Sequence, residues 1–99
     1  MIKRNHILEI IEDNRHSLKR LGVKRIGIFG SFARNTSRKS SDVDVLVEFQ
    51  PGKKTFDNYM DIKDLLEGLL KRKVDLVIRE AIKSRIKSSI LKDALYAGL

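Results

Sequence analysis

Cysteine is absent from the 99-residue chain, which excludes a disulfide framework and any thiolate metal site. Long apolar runs are absent as well: no stretch approaches the ~20 residues that a membrane helix requires. Met1 to His6 is polar and Ile7 to Ile11 is interrupted by Glu9, so no signal peptide is expected. Aromatic residues make up 6% of the chain, and none forms the aromatic-rich basic strand motif that stacks unpaired bases. Internal repeats, low-complexity tracts and interdomain linkers are lacking. The expectation is a single domain spanning residues 1–99, with a modest core and a cytoplasmic location as the default.

What is present is an ordinary globular balance, 41% hydrophobic and 34% charged, with a formal charge of +8 and a pI near 10.0. Clustered Lys and Arg neutralise phosphates, so nucleic-acid binding is one reading of that charge. The other is a solvated basic surface suited to an acidic protein partner or a nucleoside triphosphate.

Hydrophobic spacing divides the chain into alternating elements. Ile7, Leu8, Ile11, Leu18 and Leu21 recur at helical intervals and predict an amphipathic helix over about 3–21, ended by Gly22. Val23 to Phe29 reads as a strand, with Gly27 a close-packing position or a bulge. A second strand runs from Val43 to Phe49, and Gln50-Pro51-Gly52 breaks the chain after it. Thr55 to Leu70 predicts a helix with Tyr59, Ile62, Leu65, Leu66, Leu69 and Leu70 on its apolar face. Lys71-Arg72-Lys73 is a basic turn before a third strand, Val74 to Ile78. A last helix is expected from Ala81 to Ala94, with Ile82, Ile86, Ile90 and Ala94 inward. The tail, Tyr96 to Leu99, is left open. The order α-β-α-β-α-β-α gives an α/β or α+β domain, a small mixed sheet backed by helices.

The stretch from Gly30 to Phe49, GSFARNTSRKSSDVDVLVEF, carries the chemistry. Side chains alternate across a strand, so Asp42 and Asp44 fall on one face and Val43, Val45 and Val47 on the other. Adjacent carboxylates repel unless a cation lies between them, and Mg²⁺ takes hard oxygen ligands of this kind together with substrate phosphates. Gly30 allows a sharp turn and close approach of a ligand. Ser31 is expected to cap the short helix after it, whose free N–H groups attract phosphate. Asp75 is a single acid inside an apolar run. A buried charge there calls for a partner or a metal; the bland reading is an edge-strand residue facing water.

Gly-Ser, then Ala-Arg, then Ser-Asp-x-Asp resembles the signature of the DNA polymerase β-like nucleotidyltransferases, and the size of the chain resembles the minimal nucleotidyltransferase (MNT) branch, often antitoxins paired with HEPN-domain toxins. VDLVIRE and the basic last helix extend the likeness over most of the chain. One departure is Asn35, where many relatives carry Gly; Asn tolerates positive φ. The resemblance implies a polymerase β-like palm and Mg²⁺-dependent transfer of AMP from ATP, with Asp42, Asp44 and Asp75 holding two Mg²⁺ ions and Asp75 as general base. Gly30, Ser31 and Arg34 would bind nucleotide. It further implies a tyrosine of a cognate HEPN toxin as acceptor, that toxin being an RNase silenced by adenylylation.

Two other readings differ in class: a non-catalytic antitoxin that neutralises its partner by contact, and a small basic RNA-binding module. Several residues invite functional readings but have simpler ones. His6 and His16 lack ligand-type neighbours at a convincing spacing. Asp57, Asp61 and Asp64 suit the positive end of a helix dipole. Phe56 and Tyr59 read as core, Arg38 and Lys39 as a polar loop, and Lys83 and Lys87 as a solvated helix face. Arg34 suits a structural salt bridge as well as a phosphate contact.

Overall fold

The computed structural model describes residues 2–99; Met1, part of the polar start, lies outside the described residues. Four strands form one mixed sheet in the order β3-β2-β1-β4. These are β1 (Val23–Phe29), β2 (Val43–Phe49), β3 (Val74–Ile78) and β4 (Leu95–Tyr96). β1 runs antiparallel to both β2 and β4, whereas β2 and β3 are parallel. A parallel pair needs a crossover, and α4 (Phe56–Leu70) supplies it.

Alternation buries one face of the sheet. Ile26, Ile28, Val43, Val45, Val47, Val74 and Leu76 pack with Ile7, Ile11, Leu18, Ile62 and Leu66 from the helices. Fully burying a branched aliphatic side chain stabilises by about 1.5–3 kcal/mol, so these spacings hold the helices to the sheet. Thr55 caps α4 by accepting from the Asn58 N–H, and Asp57 lies in its first turn, while Asp61 and Asp64 are exposed along it. Tyr59 is half-buried and donates its hydroxyl to Leu76 O at 2.6 Å.

The single helix expected over 3–21 is two, α1 (Arg4–Asp13) and α2 (Arg15–Arg20). Asn14 divides them: its side chain donates to Ile10 O at 2.8 Å, a local bond that competes with the helical ladder. His6 and His16 are exposed.

The C-terminal end departs further from the pattern. A 3₁₀ turn, Arg79–Ala81, precedes α5 (Ser84–Asp93), after α3 (Gly30–Ala33) and α4 in chain order. No residue of α5 is buried: Ile86 is 46% exposed, Ile90 is half-buried, and Ile82 and Ala94, half-buried as well, lie outside the helix, so the expectation that these four face inward from one helix is corrected. The tail is ordered, since β4 pairs with Gly27 and Ile28. Ala97 N–H then donates to Ile26 O at 2.9 Å, and Glu12 accepts from Gly98 N–H at 2.6 Å. Gly27 is a close-packing position, because a Cβ there would stand 2.5 Å from Leu95 O. The irregularity in β1 lies instead between Val23 and Arg25. Phe56, expected in the core, is 76% exposed; it extends the helical stripe past Tyr59, where the sheet ends at Ile78.

Candidate active site

Three elements bring the predicted acids to the sheet face opposite the main core. Val43 opens β2, its N–H donating to Lys73 O at 3.0 Å, which leaves Asp42 exposed just ahead of the strand and Asp44 half-buried within it. In the parallel ladder Asp44 stands opposite Asp75; in the antiparallel ladder it stands opposite Phe29. Gly30 follows Phe29 directly. The register therefore sets the Gly-Ser turn, Asp44 and Asp75 side by side on neighbouring strands, although 45 positions separate Gly30 from Asp75 in sequence.

Asp75 itself is exposed, not buried. β3 is an edge strand, so the geometry of the bland reading is the one observed. The same residue nonetheless acts on the site. Asp44 is held above the ordinary carboxylate value of 3.8, first by burial, then by the negative charges of Asp75 and Asp42, with Arg34 pulling in the opposite direction.

Gly30 occupies the left-handed region at φ 72°, and a Cβ on it would overlap the Asp44 carboxylate. The positive φ favours glycine there, and any larger residue would also push the Asp44 carboxylate out of its place. Ser31 is not the helix cap. β1 continues through Phe29, which takes the cap position without a side-chain cap bond, and the chain enters α3 at once through Gly30. Ser31 lies in the first turn, where N–H groups have no intrahelical acceptor, and its carbonyl accepts from Thr36 N–H at 2.8 Å. Asn35 adopts φ 64°, so the turn survives the replacement of Gly.

Arg34 makes the structural ion pair, Nη1 to Asp93 Oδ2 at 2.7 Å, while standing close enough to Asp44 to lower its proton affinity. Sequence reasoning missed two supports. Asp93 on α5 holds Arg34, and Arg72 clamps the loop before Asp42 by donating to Lys39 O at 2.8 Å. The basic turn 71–73 was a signal for the second; nothing local marked the first.

Among the described residues no three acidic or histidine side chains are drawn together as a ready ligand set; Asp44 turns an oxygen toward Gly30 instead. The donors still fit Mg²⁺. They are hard carboxylate oxygens only, and Asp42 and Asp75 are exposed enough to turn toward an ion that keeps several waters.

A mixed sheet presenting a Gly-Ser turn beside strand-borne carboxylates defines a nucleotidyl-transfer palm. The profile of the nucleotidyltransferase domain family matches residues 7–97. The chain belongs to that family, in its minimal branch, and is a nucleotidyltransferase. It is 34% identical to the protein adenylyltransferase MntA of Thermococcus cleftensis over 97% of each chain. A protein of Methanocaldococcus jannaschii, named provisionally as a protein adenylyltransferase, is 43% identical over 93% of this chain and 95% of its own. A solved structure described provisionally as a minimal nucleotidyltransferase superimposes with a TM-score of 0.73 at 35% identity, covering 89% of this chain and 93% of that one. A tri-AMPylated Shewanella oneidensis HEPN toxin in complex with its MNT antitoxin matches with a TM-score of 0.62, over 90% of this chain and 70% of that one. At 16% identity that last likeness is one of fold.

Proposed function

We propose that this chain is a cytoplasmic antitoxin that transfers AMP from ATP to a tyrosine of a cognate HEPN-domain toxin. The observation that carries the reading is the pairing of Asp44 with Asp75 beside Gly30, on one open face. The names of the relatives support adenylyl transfer to protein, and the fold is that of toxin-bound MNT antitoxins.

In this mechanism Gly30 and Ser31 receive the β- and γ-phosphates at the turn, and Arg34 reaches the phosphates from the end of α3. Asp42, Asp44 and Asp75 would hold two Mg²⁺ ions, which when bound neutralise phosphate charge and align the attacking and leaving oxygens. Asp75, on the open edge, accepts the proton of the acceptor hydroxyl. That oxygen bonds to the α-phosphorus, the bond from the α-phosphorus to the bridging oxygen breaks, and pyrophosphate leaves with the electron pair. Positioning and charge neutralisation supply most of the acceleration.

The test supplies purified protein, Mg²⁺ and lysate of its own source with ATP labelled at either the α- or the γ-phosphate. Label passing to a protein from the α-position alone, and lost in Asp42→Asn, is the expected result. Transfer from the γ-position would mean kinase chemistry. A stable complex without transfer would mean neutralisation by contact. Salt-dependent RNA binding that persists without Asp42 and Asp44 would mean an RNA-binding module.

A further inference from the structure

Helix α3 has only four residues, Gly30–Ala33, too few to hold themselves, because a first helical turn fixes several dihedrals for each hydrogen bond it gains. Phe32 and Ala33 are buried and press α3 onto the core. Apolar burial is non-directional, however, and leaves a short segment free to slide or turn. Hydrogen bonds do fix direction. Gly30 O accepts from Arg34 N–H at 3.0 Å, Ser31 O from Thr36 N–H at 2.8 Å and Phe32 O from Asn35 N–H at 3.2 Å, all within the same short segment. Ala33 O instead accepts from Arg4 Nη1 at 2.7 Å, across 29 positions of sequence. Arg4 is half-buried and opens α1, a helix fixed to the core by the fully buried Ile7 and Ile11. The other long-range tethers of this segment join side chains: Arg34 to Asp93, and the Arg72 guanidinium 5.3 Å from the centre of the Phe32 ring. Among the described residues, Arg4 is the one side chain of another element bonded to the main chain of α3.

We propose that Arg4 is a positioning residue for nucleotidyl transfer: by gripping Ala33 O it sets where Gly30 and Ser31 stand relative to Asp44. The inference rests on the nucleotide-binding role given above to Gly30 and Ser31. Clearance at that point is small, since a Cβ on Gly30 would overlap the Asp44 carboxylate. A shift of α3 toward β2 therefore meets the carboxylate, and a shift away widens the gap between the turn and the acids. A misplacement of about 1 Å can cost about a hundredfold in rate. Arg4 acts through Ala33, at the opposite end of α3 from Gly30. A role in the fold alone would leave a different trace. Losing the bond would then lower the amount of folded enzyme, and with it the apparent kcat, while KM for ATP stayed where it was.

The test reads nucleotide binding without turnover, using the Mg²⁺ complex of α,β-methylene-ATP, whose carbon bridge blocks release of pyrophosphate. Affinity is measured by calorimetry, and the Gly30 and Ser31 amide signals are followed by NMR, at a temperature where circular dichroism shows every variant folded. Arg4→Met keeps an apolar stem and removes the donor. It should displace both amide signals in the free protein and weaken the analogue about tenfold. Arg4→Lys, which restores a donor and the charge, should return the affinity to within about threefold of the parent. Ile11→Val loosens α1 on the core without touching the bond and should stay within about twofold. The Arg4→Met deficit should persist in about 0.5 M KCl, where exposed charges are screened; its collapse there would assign the effect to the guanidinium charge and overturn the proposal. A deficit in Ile11→Val equal to that of Arg4→Met would overturn it too, by tracing the effect to the stability of α1. A parent that binds the analogue without moving the Gly30 and Ser31 signals would remove the nucleotide-binding role of the turn, and this role with it. A parent that moves them, beside a folded Arg4→Met of equal affinity, would remove the positioning role alone.

Discussion

Arg34 Nη1 donates to Asp93 Oδ2 across 2.7 Å, tying the end of the Gly-Ser turn to the last residue of α5. The arginine side chain is 52% exposed and the aspartate 24%, and exposed pairs of this kind contribute about 0–1 kcal/mol. Asp93→Ala should therefore lower stability by less than about 1 kcal/mol in urea unfolding. Arg34→Ala should match it in stability and differ in chemistry. Hydrogen bonds to charged groups are worth about 1.5–3 kcal/mol, so loss of a phosphate contact should raise KM for ATP about ten- to hundredfold. Equal KM values in the two variants would make Arg34 a strut and nothing more.

Gly30→Ala tests the turn itself. Alanine would be strained at φ 72° and its methyl would displace the Asp44 carboxylate. The expected outcome is a stability loss of about 1–3 kcal/mol, with adenylyl transfer lost even at temperatures where the variant is fully folded. Circular dichroism melts run beside label transfer from the α-phosphate separate the two effects. A folded variant with parental transfer would show that Asp44 does not need this seat.

Asp44 also sets a pH dependence. Its folded-state value lies above 3.8, through burial and the charges of Asp75 and Asp42. The folded protein thus binds the proton more tightly than the unfolded chain, and stability falls as pH rises from near 3.8 through the raised value. Asp44→Asn should raise the Tm at neutral pH and show little difference below that window. Added Mg²⁺ should raise the Tm of the parent and not that of Asp44→Asn. A variant less stable than the parent at neutral pH would contradict the sign.

Gly27→Ala probes how α5 is anchored. A Cβ at position 27 would stand 2.5 Å from Leu95 O, which is backbone and does not turn aside. β4 should detach, and amide exchange of the Leu95–Tyr96 pairing and of Ala97 should accelerate while β2 stays protected. A loss of about 1–3 kcal/mol is expected for forced overpacking. Unchanged exchange at Ala97 would show that β1 can shift to accommodate the methyl.

Much of the molecule was legible without coordinates because local periodicity carries local information. Val43, Val45 and Val47 alternate with Asp44 and Glu48, which determined both the strand and its buried face. Ile7, Ile11 and Leu18 marked the helical face that packs on it. Gly30, Ser31 and the Asp42–Asp44 pair marked the site, since few other uses of a strand call for acids at that spacing beside a Gly-Ser turn. Helix ends were less legible: Asn14 divides the first helix through a side-chain bond that composition does not announce.

What only the tertiary structure decided is who meets whom. Spacing says which residues share a face, not whether anything covers it, so Ile82, Ile86 and Ile90 read as core although they line an open cavity. Register between strands set Asp44 opposite Asp75, and the packing of α5 gave Arg34 a partner 59 positions away. The two-residue strand at Leu95 forms only because Gly27 lets its backbone come close. Such contacts join residues far apart in the chain, and their free energy depends on distances that no local pattern encodes.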